Sequence, residues 1–274
     1  MRDIYSRDMR SLKTKKLFLF DMDGTLYLGG SLFPGAAELL ALIREAGKRY
    51  VFVTNNSSKS AEDYCANLAQ MGIPAAEEDL FSSVEAAAFL LKQRHPGEKI
   101  YVQGTRSLLR RLRALGIRAE DRLSEDAGAV LVGFDTELTF EKLVRTVKML
   151  KRPVPYYATN PDLVCPVEFG SVPDCGSMCI SLENASGRRP EYIGKPAPLI
   201  LQLAMKRFGC GPEETVVVGD RLYTDIASGA NAGVDTVCVL SGEASLKDIE
   251  ASEVKPSYVV ESVACLQPLV MEEL

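Results

Sequence analysis

The sequence predicts an α/β protein whose core is a doubly wound, mainly parallel sheet, with a second, smaller α/β domain inserted into it. Two observations carry this prediction. Strand and helix patterns alternate almost from end to end, and a second alternating series begins inside the first. The chain has 274 residues, of which 46% are hydrophobic, so it has enough apolar residues to bury a full core.

The core domain begins with residues 1–81. The apolar run Leu17–Phe20 stops abruptly at Asp21, as expected of a buried strand. Pro34 opens a helix with an apolar side, and Gly47 ends it, as glycine often does at a helix C-terminus. The elements predicted here are strands over 16–20 and 49–53 and helices over 35–45 and 60–70.

The inserted domain is predicted over residues 82–180, because its own alternating pattern allows it to bury its own core. Its predicted elements are helices over 83–94, 107–115 and 140–150 and strands over 99–102, 129–134 and 155–158. The core domain then resumes over residues 181–274. The elements predicted there are strands over 191–193, 215–218 and 236–240 and helices over 198–208 and 224–229.

Composition excludes several classes of protein. No basic stripe or Lys/Arg run argues for nucleic acid polymers as partners, and the net charge of −5 disfavours nonspecific binding to anionic membranes. No apolar stretch approaches the ~18 residues of a transmembrane helix. Residues 1–16 are charged throughout and lack the apolar region of a signal peptide. We therefore expect a cytoplasmic protein.

The cysteine and histidine content excludes further kinds of site. The seven cysteines are irregularly spaced, which argues against a disulfide framework, and Cys175 and Cys179 are interpreted as reduced structural thiols. The only histidine, His95, precedes Pro96 in a polar loop pattern and is predicted to be a solvated surface residue. A His-based catalytic triad or a His-rich metal site is thus nearly excluded.

Three strands of the core series end in polar groups, which parallel strands bring to one edge of a sheet. Each group alone is also compatible with an ordinary turn or helix cap. Three together, with a lysine on an intervening loop, favour a functional site. The groups are Asp21 and Asp23, then Thr54, Asn55 and Asn56, then Gly219 and Asp220, with Lys195 on the loop.

The chemistry of this set suits a phosphate ester. Its carboxylates supply only oxygen ligands, which predicts a hard metal, Mg²⁺. Mg²⁺ and a lysine would offset the repulsion between a carboxylate and a phosphate dianion, about 4 kcal/mol per pair of unit charges at 4 Å and an effective dielectric of 20. The carboxylates are Asp21, Asp23, Asp220 and Asp225; the phosphate-binding groups are the Thr54 hydroxyl, the Asn55 and Asn56 backbone N–H groups and the Lys195 ammonium.

These residues resemble the motifs of the haloacid dehalogenase (HAD) superfamily. Asp21-Met22-Asp23-Gly24-Thr25 resembles its first motif, DxDGT, and Thr54 and Lys195 match its second and third. Residues 219–225, Gly-Asp-Arg-Leu-Tyr-Thr-Asp, match its fourth, GDxxxTD. The strings at 54–56, 158–162, 194–196 and 219–221 resemble subclass IIA, the 4-nitrophenylphosphatase-like or NagD-like group. The resemblance implies a Rossmann-like HAD core.

The resemblance also implies roles. Asp21 would attack phosphorus and become an aspartyl-phosphate. Asp23 would protonate the leaving alcohol and then deprotonate water, and its carbonyl would bind Mg²⁺. Asp21 and Asp220 would be direct metal ligands, whereas Asp225 binds directly or through water. Thr54, Asn55, Asn56 and Lys195 would hold the phosphoryl group of a small phosphorylated metabolite.

The position of the insertion matches the C2-type caps of this family. Asp21 and Thr54 are 33 positions apart, enough for one βαβ unit, whereas Thr54 and Lys195 are 141 apart. A cap would exclude water and select the leaving group. Asn160 and Asp162 are candidate substrate-specificity residues, with a simple turn around Pro161 as the alternative. Caps in this group often contribute to dimer contacts, so a homodimer through the cap is one expectation.

The leading hypothesis is therefore a Mg²⁺-dependent phosphatase for a sugar phosphate or nucleoside monophosphate. Two alternatives stay open. A phosphomutase or phosphotransferase would use the same aspartyl-phosphate, but family mutases generally carry their cap between the first and second motifs. A non-catalytic phospholigand-binding protein would have no need for a nucleophile and its acid partner.

Overall fold

A computed structural model describes residues 1–167 and 169–270 and divides them into two compact units. The core unit comprises residues 1–53, 65–81 and 195–270, and the inserted unit comprises residues 54–64 and the described part of 82–194. The predicted boundary near 180 falls inside an unbroken helix, Cys175–Ser186, and the inserted unit continues to Gly194. The segment Thr54–Tyr64, predicted as core, belongs with the inserted unit because its residues contact that unit.

The chain alternates between strands and helices as predicted. The strands, in chain order, are β1 (Leu17–Phe20), β2 (Tyr27–Leu28), β3 (Ser31–Leu32), β4 (Arg49–Thr54), β5 (Leu80–Ser82), β6 (Lys99–Gln103), β7 (Arg118–Glu120), β8 (Ala127–Val132), β9 (Tyr156–Ala158), β10 (Val164–Val167), β11 (Gly170–Pro173), β12 (Glu191–Tyr192), β13 (Thr215–Gly219), β14 (Asp235–Val239) and β15 (Tyr258–Val260).

The α-helices are α1 (Ala36–Glu45), α2 (Ala61–Gln70), α3 (Ser83–Arg94), α4 (Arg106–Ala114), α5 (Phe140–Leu150), α6 (Cys175–Ser186), α7 (Leu199–Phe208), α8 (Ala227–Ala232), α9 (Leu246–Ala251) and α10 (Gln267–Val270). A π-helical turn, Leu222–Ile226, precedes α8. Among the residues that the structure describes, no helix is both long enough and apolar enough to cross a membrane.

The core sheet is doubly wound. Its strand order is β15-β14-β13-β1-β4-β5, and β1 pairs in parallel with both β13 and β4. The chain runs from β1 toward β4 and β5 and then returns to β13 on the other side. The order therefore reverses between β1 and β13, and open α/β sheets bind ligands at the carboxyl ends of such strands. The four residues of β1 are fully buried, as expected for a central parallel strand.

The inserted unit has its own parallel sheet, with strand order β12-β9-β8-β6-β7, and an antiparallel hairpin formed by β10 and β11. Its core includes Tyr101, Val130 and Met149, together with the buried thiols Cys175 and Cys179 of α6. His95 was predicted to be a solvated surface residue, and this prediction is wrong for its side chain. Its side chain is only 8% exposed, because it packs edge-on against Tyr157.

Candidate active site

Three carboxylates converge in the core unit. Asp21 follows β1 directly, Asp220 follows β13, and Asp225 lies in the π-helical turn. One carboxylate oxygen from each lies within 4.8 Å of the other two. The adjacent central strands β1 and β13 deliver two of these groups, and the turn after β13 brings the third back toward them. The predicted convergence of the strand ends is therefore present for these residues.

Lys195 lies between two of the three carboxylates. Its Nζ donates to Asp21 Oδ1 at 2.6 Å, to Asp225 Oδ1 at 2.5 Å and to the Val53 carbonyl at 3.2 Å. The residue is only 2% exposed. Burial alone would lower the pKa of Lys195, but the charges of Asp21 and Asp225 outweigh it and raise the pKa. The lysine therefore stays protonated as a fixed positive charge.

Asp21 and Asp220 are destabilised in their charged form. Burial raises the pKa of Asp21 well above its usual range, and the neighbouring charges of Asp225 and Asp220 add to it, although Lys195 acts in the opposite direction. Burial, followed by the charge of Asp225, raises the pKa of Asp220 to about 6. Like charges held this closely favour binding of a cation or a proton.

Hydrogen bonds from the core unit orient Asp220 on both of its oxygens. Thr25 Oγ1 donates to Oδ1 at 3.2 Å, and the Glu243 N–H donates to Oδ2 at 2.8 Å. Gly24, whose φ is +86°, and Gly242 both lie so close that a Cβ would fall 2.4 and 2.1 Å from Oδ2. These contacts fix the direction in which the carboxylate points.

Asp225 is oriented in the same way. Its Oδ1 accepts from Lys195, and its Oδ2 accepts from the Arg221 N–H at 3.2 Å. Gly219, at the end of β13, lets the turn approach closely, since a Cβ there would lie 2.3 Å from the Asp225 Cβ. The GDxxxTD spacing thus places both of its acids in one cluster by folding back within a single π-helical turn.

Mg²⁺ fits this donor set. The three clustered side chains offer only oxygen atoms, which a hard cation prefers, and a divalent ion would relieve the repulsion that raises the pKa of Asp21 and Asp220. Asp23 is partly exposed, and its residue forms an isolated parallel bridge with Tyr27. Its predicted contribution to the metal is a backbone carbonyl, which lies two residues after Asp21.

The remaining predicted site residues form a group within the inserted unit. Thr54 ends β4, and its Oγ1 accepts the Asn56 N–H at 3.1 Å. Asn56 Oδ1 accepts from both the N–H and the hydroxyl of Ser58. Asn55 Nδ2 donates to Asp162 Oδ2 at 2.9 Å, and Asn160 Nδ2 donates to the Asn55 carbonyl at 2.9 Å. The two candidate specificity residues therefore contact a candidate phosphate-binding residue.

Sequence reasoning missed the residues after β14. Ser241 Oγ donates to the Gly24 carbonyl at 2.9 Å, and the neighbouring Gly242 and Glu243 contact Asp220. The strand itself was predicted over 236–240, so the rule that ligand groups follow the ends of parallel strands would have pointed to this turn. The turn was overlooked because it acts through the backbone N–H of Glu243 and through the absence of a side chain at Gly242. The chemistry of the side chains in the sequence does not indicate either contribution.

Comparisons with known proteins find similarity to one family of hydrolases. A family model described as haloacid dehalogenase-like hydrolase matches residues 18–118, and a second, HAD-hydrolase-like model matches residues 192–266. Acid sugar phosphatase from Staphylococcus aureus is 33% identical over 247 residues, which cover 90% of this chain and 95% of that protein.

Two solved structures are similar over most of their length. 4-Nitrophenylphosphatase from Thermotoga maritima has a TM-score of 0.89 and 38% identity, and the match covers 95% of this chain and 99% of that chain. Glycerol phosphate phosphatase from Mycobacterium tuberculosis, solved in complex with magnesium, has a TM-score of 0.88 and 31% identity. That match covers 100% of this chain and 80% of the other.

Proposed function

Because the chain belongs to the haloacid dehalogenase-like hydrolases, we propose that it is a Mg²⁺-dependent phosphatase that cleaves a small phosphorylated metabolite through an aspartyl-phosphate at Asp21. One observation carries the proposal. The carboxylates of Asp21, Asp220 and Asp225 converge within 4.8 Å, and the buried ammonium of Lys195 bonds to two of them. Pure ligand binding would need neither a nucleophile nor its acid partner.

Asp21, Asp220 and Asp225, with the carbonyl of Asp23, would hold the Mg²⁺. Bound there, the ion would neutralise charge on the phosphoryl oxygens as the ester is cleaved. Lys195 supplies a second positive charge, which lets the Asp21 carboxylate approach a phosphate dianion despite their like charges. Thr54 and the backbone N–H groups of Asn55 and Asn56 would bind the phosphoryl oxygens, the Asn56 N–H exchanging its bond to Thr54 Oγ1 for one to the phosphate.

The first step transfers the phosphoryl group to Asp21. A carboxylate oxygen of Asp21 forms a bond to phosphorus while the ester P–O bond breaks, and Asp23 gives its proton to the departing alkoxide oxygen. In the second step, Asp23 takes a proton from water, and the water oxygen attacks phosphorus. The bond to Asp21 breaks, which releases inorganic phosphate and restores the carboxylate.

A phosphorylated sugar or polyol is the substrate class that the comparisons favour. Acid sugar phosphatase and glycerol phosphate phosphatase both match this chain over at least 90% of its length. Nucleoside monophosphates stay a second candidate class. We also predict a homodimer that forms through the inserted unit, which size-exclusion chromatography of the purified protein tests. A cytoplasmic location is a further prediction, and cell fractionation tests it.

The proposed function is tested by assaying the purified protein with 4-nitrophenyl phosphate, glycerol phosphate, a hexose phosphate and a nucleoside monophosphate, with Mg²⁺ or with EDTA. We expect Mg²⁺-dependent release of phosphate, abolished in Asp21→Asn and retained in Asp8→Asn, which alters an exposed acid elsewhere in the core unit. Full activity in EDTA or in Asp21→Asn would contradict the mechanism. A sugar phosphate isomer formed without free phosphate would indicate a mutase instead.

A further inference from the structure

The segment that follows β4 is fixed by residues far along the chain. Asn55 takes part in hydrogen bonds with such distant residues of the inserted unit. Its side-chain Nδ2 donates to Asp162 Oδ2 at 2.9 Å, and its carbonyl accepts from Asn160 Nδ2 at 2.9 Å and from Ser83 Oγ at 2.6 Å. The side chain and the carbonyl of this candidate phosphate-binding residue are therefore both held by the inserted unit.

The loop that supplies two of these contacts is itself rigidly packed. Asn160 is completely buried and Asp162 is 3% exposed. The Asp162 N–H donates to Asn160 Oδ1 at 3.0 Å, and the Gly176 N–H donates to the Asp162 carbonyl at 2.8 Å. A Cβ at Gly176 would lie 2.2 Å from the Pro161 carbonyl oxygen, so the start of α6 packs directly against the loop.

The next residues of the segment are held in the same way. Ser57 Oγ accepts the Phe134 N–H at 2.9 Å and shares a hydrogen bond with Thr159 Oγ1 at 2.9 Å. The Ser58 carbonyl accepts from Thr105 Oγ1 at 3.0 Å. Thr105, Phe134 and Thr159 follow β6, β8 and β9, so the carboxyl edge of the inserted sheet supports the segment along its length.

We infer that Asp162 and Asn160 are positioning residues for the reaction, which act through Asn55 to fix the phosphate-binding segment. The inference rests on the proposed function, because the role of Asn55 in holding the phosphoryl group is part of it. We therefore no longer assign these two residues a direct contact with the substrate, because both are buried and both bond to Asn55. The Asp162 carboxylate would repel a phosphate dianion, so it is unsuited to binding the phosphoryl group directly. Holding the Asn55 side chain is a role that suits it better.

If Asp162 has this role, the loss of activity caused by removing its contact does not depend on the leaving group of the substrate. Loss of the Asp162 contact would disorder the phosphoryl site itself, so every substrate would be affected by the same factor. Inorganic phosphate, which has no leaving group, would be affected as well. A residue that reads the organic part of the substrate would instead change the ratio between substrates and leave phosphate binding unaltered.

The test compares Asp162→Ala, Asp162→Asn and Asn160→Ala with wild type. The control is Thr146→Val, which removes a buried hydroxyl bonded to Tyr101 and Gln103 elsewhere in the inserted unit. Affinity for inorganic phosphate is measured by calorimetry with Mg²⁺ present, and kcat/KM is measured with 4-nitrophenyl phosphate and glycerol phosphate. Circular dichroism checks that each variant is folded.

We expect Asp162→Ala to weaken phosphate binding about 10-fold or more, the usual effect of losing a hydrogen bond to a charged group. The kcat/KM values for both esters should fall by a common factor. Asp162→Asn keeps an acceptor for Asn55 Nδ2 and should stay within about 3-fold of wild type. Asn160→Ala should resemble Asp162→Ala, and Thr146→Val should resemble wild type.

A double-mutant cycle adds an independent criterion. If Asp162 acts through Asn55, the pair Asn55→Ala and Asp162→Ala should be no worse than Asn55→Ala alone. Unchanged phosphate affinity in Asp162→Ala, an altered ratio between the esters, or additive losses would each overturn the inference. A wild-type protein that binds phosphate but hydrolyses no ester would contradict the proposed function alone, and the calorimetry would still decide the inference.

Discussion

The Nζ atom of Lys195 lies 2.6 Å from Asp21 Oδ1, at the end of the central strand β1. Lys195 is 174 positions away from Asp21 in sequence, and its side chain is almost completely buried. A second bond to Asp225 and a third to the Val53 carbonyl hold the ammonium in place. The positive charge beside the proposed nucleophile is therefore built into the fold.

Replacement of this charge should impair catalysis severely. Lys195→Met keeps much of the side-chain volume but removes the ammonium, so Asp21 and a phosphate dianion would repel each other without compensation. We expect kcat/KM to fall by about 10²–10³, the usual effect of losing one group that stabilises transition-state charge. Steady-state kinetics checks this, with Lys206→Met on the exposed side of α7 as the control. Equal losses in the two variants would contradict the assigned role.

The close approach of Gly242 to Asp220 makes a prediction about metal affinity. A Cβ at this position would lie 2.1 Å from Asp220 Oδ2, so Gly242→Ala must displace the carboxylate or the turn. We expect the Kd for Mg²⁺ to rise about 10- to 100-fold, as is typical when the support of a metal ligand is disturbed. Gly30→Ala is the matched control, because nothing lies within 4 Å of its Cβ position. Calorimetry that finds the same Kd in both variants would refute the prediction.

The raised pKa of Asp220 predicts how the stability of the metal-free protein depends on pH. Burial and the charge of Asp225 raise this pKa from 3.8 to about 6, so the folded protein binds more protons than the unfolded chain between these values. The contribution of Asp220 to stability is present below about pH 4 and is lost as pH rises through about 6. Asp220→Asn lacks this titration.

Chemical denaturation in EDTA checks the sign. The free energy of unfolding of wild type, relative to Asp220→Asn, should fall as pH rises from about 4 to 6 and then level off. Addition of Mg²⁺ should stabilise wild type more at pH 7.5 than at pH 5, because the ion and the proton compete for the same carboxylates. A relative stability that rises with pH in EDTA would show that the sign is wrong.

Asp23 should matter most for esters with a poor leaving group. Asp23→Asn removes the proton donor, so we expect kcat for glycerol phosphate to fall by about 10²–10⁴. Nitrophenolate leaves without protonation, so the first turnover of 4-nitrophenyl phosphate should stay fast. Release of phosphate from Asp21 should then be slow, because no base activates water. Rapid-mixing experiments should show a burst of nitrophenolate in the variant, and equal losses for both esters without a burst would argue against this role.

Much of the fold followed from the sequence because its strands are apolar runs with polar ends. The predicted helices over 83–94 and 140–150 coincide with α3 and α5. The short strands β5, β7 and β15 and the hairpin of β10 and β11 were not predicted. Strands of three or four residues carry too little periodicity to identify, and β10 contains Pro166. The helix α6 was missed because its small and polar residues give it a weak apolar side.

The candidate site was predictable where its chemistry resides in side chains of motifs. Asp21, Lys195, Asp220 and Asp225 form one cluster, and the family is confirmed by the comparisons. One similar structure, glycerol phosphate phosphatase, was solved with magnesium. The contact between Asn55 and Asp162 was not foreseen, since it joins residues 107 positions apart. The position of His95 against Tyr157 was missed for the same reason, because neighbours in space depend on strand order.

The central claim is that Asp21 is phosphorylated during turnover. Its most direct test is to acid-quench the enzyme during hydrolysis of 4-nitrophenyl phosphate with Mg²⁺, reduce it with borohydride and map the peptides by mass spectrometry. An aspartyl-phosphate is reduced to homoserine, whereas a free carboxylate is not. We expect homoserine at position 21, formed only when both substrate and Mg²⁺ are present. An active enzyme in which Asp21 is never modified, while another residue is, would contradict it.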